Sequence, residues 1–390
     1  MRIIHAADSF APDIGGIERQ VQALAFCQRD QGHQVSVITA VNEPASLDLT
    51  VVRALPGRWL TVAFPWRNHR LVAAALDSAP VDLVHAHFTV ISPIAIYVAR
   101  AASRRGIPVA ITVHSLWWQV TIATRLSSLP FGWGRTRAAW SAVSNVAAAR
   151  VRRTLPRVGE VSVVPNLVDV PWWRPPDPGA VTVGDEVRVI LVGRLKRRKH
   201  IGEFIDVLSR VRRRVPVDTK LRVSIVGEGP RRADLQRQID ALALADWVRL
   251  LGHRASEQIR TLLHQSDLFV AASPHESFGM AALEARAAGV PVLGYRGNGL
   301  SDFICNGADG VLVSSTTEMV DALTNLLRHR HELLQLRQTA VTTPPLLKPE
   351  DAMRAVDALY RRAQALRAKR TPRRRRDGAT GSSRMHSGTA

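Results

Sequence analysis

The chain has 390 residues, 46% of them hydrophobic, and a formal net charge of +20. That length exceeds one ordinary core and points to two domains of about 150 to 190 residues. Its two cysteines, Cys27 and Cys305, are far apart and belong to no C-x-x-C or His/Cys cluster, which excludes a disulfide framework and a structural zinc site and suits a reducing, cytoplasmic setting. The opening MRIIHAADSF meets Asp8, Pro12 and Asp13 too soon for a signal peptide. The longest apolar region, residues 88–99, carries Thr89, Ser92 and Pro93 and is too short to span a bilayer.

In chain order, short β-branched runs alternate with amphipathic segments. RIIHA is followed by residues 16–31, QVSVITA, VDLVHAHF, residues 92–105, PVAITVH and AWSAVSN. A second series starts at VRVILVG and runs through a helix over 201–213, LRVSIVG, a helix over 231–245, WVRLLG, residues 256–265, DLFVAAS, a helix after Phe278, and VPVLGY. Strand and helix signals in alternation predict parallel-sheet α/β structure, with a doubly wound sheet in each half. Between the halves, Pro171, Pro175, Pro176 and Pro178 mark a stiff linker that no helix continues through, and the boundary falls near residue 180. One helix is expected over 317–336. A break at Pro344 and Pro345 follows, then a final helix over 350–366 with Met353, Val356, Leu359 and Tyr360 on one stripe. There is no repeat at the periods of solenoids.

Ligands of doubly wound sheets sit at the carboxyl ends of strands, where helix N-termini point at anions. Gly15 and Gly16 follow the first strand and open a helix, as a close-approach loop or a plain tight turn. No G-x-G-x-x-G follows that strand, and Gly227-Glu228-Gly229 is succeeded by Arg232 where a third glycine belongs, so a dinucleotide enzyme is unsupported. A P-loop is absent as well. By contrast, Gly193-Arg194-Leu195-Lys196-Arg197-Arg198-Lys199 lies between an apolar strand and a helix start, which suits a multiply charged anion, with Arg194 bidentate and Lys199 a point charge. A basic surface loop reads the same in isolation. In ASPHESFGMAALE, the N-H groups of Phe278, Gly279, Met280 and Ala281 can cradle a phosphate. Glu276 lies before that cradle and Glu284 about one and a half turns into the helix. Two carboxylates flanking a phosphate site match a sugar nucleotide, with sugar hydroxyls on one side of its diphosphate and ribose hydroxyls on the other.

Taken together, P-x-x-G-G-x-E at residues 12–18, D-L-V-H-A-H at 82–87, T-V-H at 112–114, V-V-P-N at 163–166, V-G-R-L-x-x-x-K, V-G-E-G-P and the paired glutamates resemble glycosyltransferase family 4, retaining enzymes of the GT-B fold. The resemblance covers about residues 1–365. His200 departs from it, since the family has glycine after the lysine. The resemblance implies two facing Rossmann-like doubly wound domains: residues 1–179 for the acceptor, 180–345 for the nucleotide sugar, 346–367 as a helix crossing back to the first domain, and 368–390 as a disordered basic tail. It further implies that Arg194 and Lys199 hold the donor diphosphate and stabilise the leaving nucleotide. Glu284 would hold the ribose and Glu276 the transferred sugar, while Phe278, Gly279 and Met280 supply backbone contacts. Gly16 would approach from the facing domain, and His114 would border the reacting sugar. His85 and His87 read as strand-end polar residues. The transfer implied proceeds with retention, by same-face attack without a covalent protein intermediate. No cofactor is expected besides the nucleotide-sugar co-substrate. No metal is expected either, since the chain contains no Asp-x-Asp.

The expected acceptor is a hydroxyl on an envelope or lipid-linked glycan, or on a small natural product such as an aminocyclitol. Residues 54–71 and 116–140 mix Trp59, Phe64, Trp66, Trp117, Trp118, Phe131, Trp133 and Trp140 with several Arg. That mixture suits peripheral contact with an anionic membrane at the inner face of the cell, and equally an acceptor pocket or core packing. In residues 369–390, seven Lys/Arg against one Asp give a solvated tail or an anion-binding one. A sugar-nucleotide epimerase or hydrolase of the same fold is the nearest alternative. A nucleic-acid-binding protein is the different-class one, and no single-strand module supports specific nucleic-acid binding.

Overall fold

The computed structural model describes residues 1–12, 15–41, 48–53, 65–116, 136–176 and 183–368. The first unit runs β1 (Arg2–Ala7), α1 (Gly16–Asp30), β2 (Gln34–Thr39), β3 (Thr50–Arg53), α2 (His69–Asp77), β4 (Leu83–Phe88), α3 (Pro93–Arg104), β5 (Val109–Val113), β6 (Ala139–Ala142), α4 (Asn145–Thr154) and β7 (Val161–Val163). Its strands are parallel in the order β3-β2-β1-β4-β5-β6-β7. After a short helix α5 (Val170–Trp173), the second unit runs β8 (Glu186–Val192), α6 (Ile201–Arg212), β9 (Lys220–Val226), α7 (Arg232–Ala241), β10 (Val248–Gly252), α8 (Ser256–His264), β11 (Leu268–Ala271), α9 (Met280–Ala287), β12 (Val292–Tyr295) and β13 (Gly310–Val313). Its parallel order is β10-β9-β8-β11-β12-β13. In each sheet the order reverses beside the first strand, so a crevice opens at the carboxyl ends of β1 and β4 and of β8 and β11.

Strands covered on both faces are buried along their whole length, as β4 and β5 are at every position, and their few polar side chains, His85, His87 and Thr112, are buried with them. Alternate residues nevertheless face different neighbours. Ile4, Ala6, Val84, Ala86, Phe88, Ile111, Val113 and Trp140 join the core under α3. Ile3, Leu83, Ala110 and Ala139 pack instead with Ala352, Val356, Leu359, Tyr360 and Ala363 of the last helix, α12 (Pro349–Ala368). The final helix therefore returns to the first sheet, and its stripe is the seal over β4, β5 and β6. Each large side chain buried there contributes roughly 1.5 to 3 kcal/mol.

Two expectations are corrected. The single helix over 317–336 is two, α10 (Thr316–Arg328) and α11 (Arg330–Thr342), broken at His329 with φ −113° and ψ 74°. No Gly or Pro marks that break, and Arg286 of α9 holds the new direction by donating to the Ala340 carbonyl at 2.9 Å. In the linker, Pro171 does not exclude helix: it occupies the first turn of α5, where its missing N-H costs nothing. Of the three readings open for the aromatic residues, Trp140 takes core packing: it is 1% exposed and edge-on to Phe88. Trp59, Phe64, Trp117, Trp118, Phe131 and Trp133, with residues 369–390, lie outside the described residues. Among the described residues no helix is long and apolar enough to cross a membrane.

Candidate active site

The basic loop after β8 rests on the loop after β9. Gly193 N-H donates to the Val226 carbonyl and Leu195 N-H to the Glu228 carbonyl, both at 2.9 Å. This seating explains the glycines of V-G-E-G-P. A Cβ on Gly227, whose φ is +140°, would lie 2.0 Å from the Gly193 oxygen, and one on Gly229 would lie 2.5 Å from the Leu195 oxygen. The motif thus seats the loop of Arg194. The departure at His200 also has a reason: the position is left-handed, φ 52°, the conformation glycine adopts without cost. His200 holds it with its Nδ1 3.1 Å from Glu203.

The glutamate loop after β11 is held from behind. Gly299 N-H donates to the Glu276 carbonyl at 2.9 Å, and a Cβ on Gly299 would meet the Ser277 oxygen and Phe278 Cα at 2.5 Å. Asn298 Nδ2 donates to the Ser273 carbonyl at 3.3 Å, and Ser273 Oγ donates to the Arg198 carbonyl at 3.1 Å, tying the two loops together. Gly279, at φ +99°, turns the chain into α9. Phe278 packs its ring against Phe303, so what it offers the crevice is its backbone.

These loops bring the expected residues together. Lys199 Nζ donates to Glu276 Oε2 at 2.7 Å. Arg194 Nη2 reaches across to Glu18 Oε1 of α1 at 3.3 Å, and Arg19 of α1 reaches back to Glu284 Oε1 at 3.1 Å. A Cβ on Gly16 would lie 3.4 Å from Met280 Cγ. Ser144 Oγ donates to the Ser277 carbonyl at 2.6 Å, a further bond between the units. Burial pushes the Glu284 carboxyl up, and Arg19 pulls it partly back. Arg19, Ser144, Asn298 and Gly299 are missing from the residues that sequence reasoning reaches. Glu18 stands in P-x-x-G-G-x-E without a role, whereas Arg19 carries no signal there. Chemically, three cations face three carboxylates. An anion placed at Arg194 and Lys199 would compete with Glu18 and Glu276, their present partners, and would leave those two carboxylates open to accept hydrogen bonds.

His114 lies apart from these pairs, at the carboxyl end of β5, where its Nε2 is 3.0 Å from His87 Nδ1. Burial lowers its pKa to about 4. His85 and His87 are members of a buried polar stripe on the α12 face of the sheet. With His5 they form the one group among the described residues whose ring nitrogens, within 4.8 Å of one another, have the chemistry of a metal site. Each of their nitrogens already has a hydrogen-bond partner.

Residues 14–171 match the family described as Glycosyltransferase Family 4, and residues 179–342 match Glycosyl transferases group 1. The chain belongs to glycosyltransferase family 4. This family 4 protein is 24% identical, over 92% of its length and 78% of the relative's, to a subunit of the phosphatidylinositol N-acetylglucosaminyltransferase of Arabidopsis thaliana. It is 23% identical, over 92% and 96%, to the alpha-monoglucosyldiacylglycerol synthase of Acholeplasma laidlawii. The solved structure of Anabaena HepE in complex with UDP superposes with a TM-score of 0.70 at 20% identity, covering 94% of this chain and all of that one. The glycosyltransferase thus has the GT-B fold, and it is a transferase enzyme.

Proposed function

We propose that this glycosyltransferase moves a hexosyl group, with retention, from a nucleoside diphosphate sugar to a hydroxyl of a lipid-borne acceptor. The observation that carries the donor half is the meeting of Arg194, Lys199, Glu276 and Glu284 at the carboxyl ends of β8 and β11, facing Gly16 of α1. Arg194 and Lys199 take the diphosphate, Glu284 the ribose and Glu276 the transferred sugar. The acceptor oxygen bonds to the anomeric carbon as the bond to the β-phosphate oxygen breaks on the same face. The hydroxyl proton passes to that phosphate oxygen. The two cations and the N-terminus of α9 stabilise the leaving charge without a metal. Closure of the two units over the sugar excludes water, so that transfer outruns hydrolysis.

The lipid acceptor is supported by two relatives named for phosphatidylinositol and diacylglycerol, and by the net charge of +20, which suits an anionic surface at the inner face of a membrane. The test is a thermal-shift series with UDP, GDP, ADP and TDP, followed by transfer from the labelled sugar of the selected nucleotide into lipid extract. A nucleotide stabilises the fold by mass action. No shift with any of the four refutes the donor site. A shift with label appearing only in water-soluble product refutes the lipid acceptor.

A further inference from the structure

Seven buried side chains of the first unit and Tyr360 of α12 form one unbranched hydrogen-bonded chain. Ser141 Oγ is 3.1 Å from the Ile111 carbonyl oxygen, Thr112 Oγ1 is 2.8 Å from Ser141 Oγ, and His85 Nε2 is 2.7 Å from Thr112 Oγ1. His85 Nδ1 is 3.0 Å from the Tyr360 hydroxyl, which is 2.8 Å from Gln28 Nε2, and Gln28 Oε1 is 2.8 Å from His5 Nε2. His5 Nδ1 is 2.9 Å from His87 Nε2, and His87 Nδ1 is 3.0 Å from His114 Nε2. His114 Nδ1 is buried and has no partner among the described residues.

One end of this chain has a fixed polarity. A carbonyl only accepts, so the Ser141 hydroxyl donates to Ile111 and must accept from Thr112. Thr112 then accepts from His85 Nε2-H, which leaves His85 Nδ1 to accept the Tyr360 proton. Tyr360 in turn accepts from the Gln28 amide nitrogen, which turns the Gln28 oxygen to His5 Nε2-H. A neutral imidazole carries one ring proton, so His5 Nδ1 accepts from His87 Nε2-H, and His87 Nδ1 accepts from His114 Nε2-H. Burial keeps the rings neutral: it lowers His5 and His114 to about 4, and His85 and His87 well below the usual value.

We propose that this chain sets the tautomer of His114: the ring is held as Nε2-H, and its Nδ1 lone pair is reserved as an acceptor, with Ser141 and Tyr360 as distant positioning residues. Use of that lone pair for a hydroxyl of bound sugar rests on the transferase reading above; the proton placement does not. The reverse polarity would turn Ser141 away from Ile111, flip the Gln28 amide and put the proton on Nδ1, making His114 a donor. The last helix therefore does more than seal the sheet, because Tyr360 is the link between the two halves of the chain.

The test is two-bond 15N–1H correlation NMR on ligand-free, full-length protein with 15N-labelled histidine, His114 being identified by loss of its signals in His114→Gln. Protonation at Nε2 alone in His5, His85, His87 and His114 is expected. Protonation of His114 at Nδ1, or on both nitrogens at pH 7, overturns the proposal. Ser141→Ala removes the anchored end with one oxygen lost and should turn His114 from a single tautomer into a mixture, with Ser141→Thr restoring the single form. Tyr360→Phe should give the same mixture by freeing the Gln28 amide. A His114 signal unchanged in both folded variants overturns the proposal, and Ser141→Ala alone decides if Tyr360→Phe fails to fold. Stoichiometric metal in the purified protein also overturns it, because His5, His85 and His87 would then spend ring nitrogens on coordination.

Discussion

Lowering the pH from 7 to 5 should loosen the first unit and spare the second. His5 and His114 are buried in the first unit with pKa values lowered from 6.5 to about 4, and His85 and His87 shift the same way. A base with a lowered pKa binds fewer protons folded than unfolded. Its stabilisation is complete above 6.5 and is lost as pH falls from there toward the folded value. At pH 5 a histidine whose pKa falls from 6.5 to about 4 on folding costs about 2 kcal/mol, or roughly thirtyfold in the opening equilibrium. Among the described residues of the second unit only His275, on a loop, shifts in the same direction as those histidines within this pH range, whereas Glu284 and Asp267 are raised by burial. The sign of the two carboxyls is opposite: the folded state gains protons, so acidification relieves a cost there. Hydrogen exchange read by mass spectrometry, corrected for the intrinsic rate, separates the units. Protection in β1, β4 and β5 should fall steeply between pH 7 and pH 5, while that in β8, β9 and β11 holds. Equal change in both units, or none in the first, would refute the assignment of the four histidines as neutral and buried.

Replacing Lys199 or Arg194 by Ala should lower kcat with the identified donor by two to three orders of magnitude, in the range measured for lost charge stabilisation; unchanged turnover would sink the anion-site reading. Gly227→Ala forces a Cβ against the Gly193 oxygen at a φ of +140°. It should cost roughly 2 to 3 kcal/mol in urea unfolding and weaken nucleotide binding through the displaced loop of Arg194. Deleting residues 369–390 should leave transfer to a soluble acceptor intact while weakening sedimentation with anionic liposomes, since the tail carries seven Lys/Arg. Catalysis lost together with the tail would count against that division of labour.

The donor loops are legible in the sequence because their signals are contiguous. Arg194 and Lys199 follow an apolar run directly, and Glu276 and Glu284 bracket one Phe-Gly step. Even the unusual His200 announces itself once the glycine-like backbone of that position is seen. The break at His329 is illegible for the converse reason: the apolar period continues across it, and the second helix is held by a contact distant in sequence, Arg286 donating to the Ala340 carbonyl 54 residues on. The histidines are visible as V-H-A-H, but a strand-end polar pair is all that the local pattern supports. Strand alternation says that His85 and His87 share a face with His5, yet gives no hint of what lies opposite.

By itself the sequence determined two parallel α/β units, the loops at the carboxyl ends of β8 and β11, and an apolar stripe on the last helix. All three follow from short-range periodicity and glycine placement, which act within a few residues. Only the tertiary structure decided that Arg19 meets Glu284 across 265 residues, and that Tyr360 reaches His85 across 275. Periodicity tells which face of an element turns inward. The partner that arrives there is chosen by how whole elements pack, and in a buried polar chain that choice also settles where each proton resides.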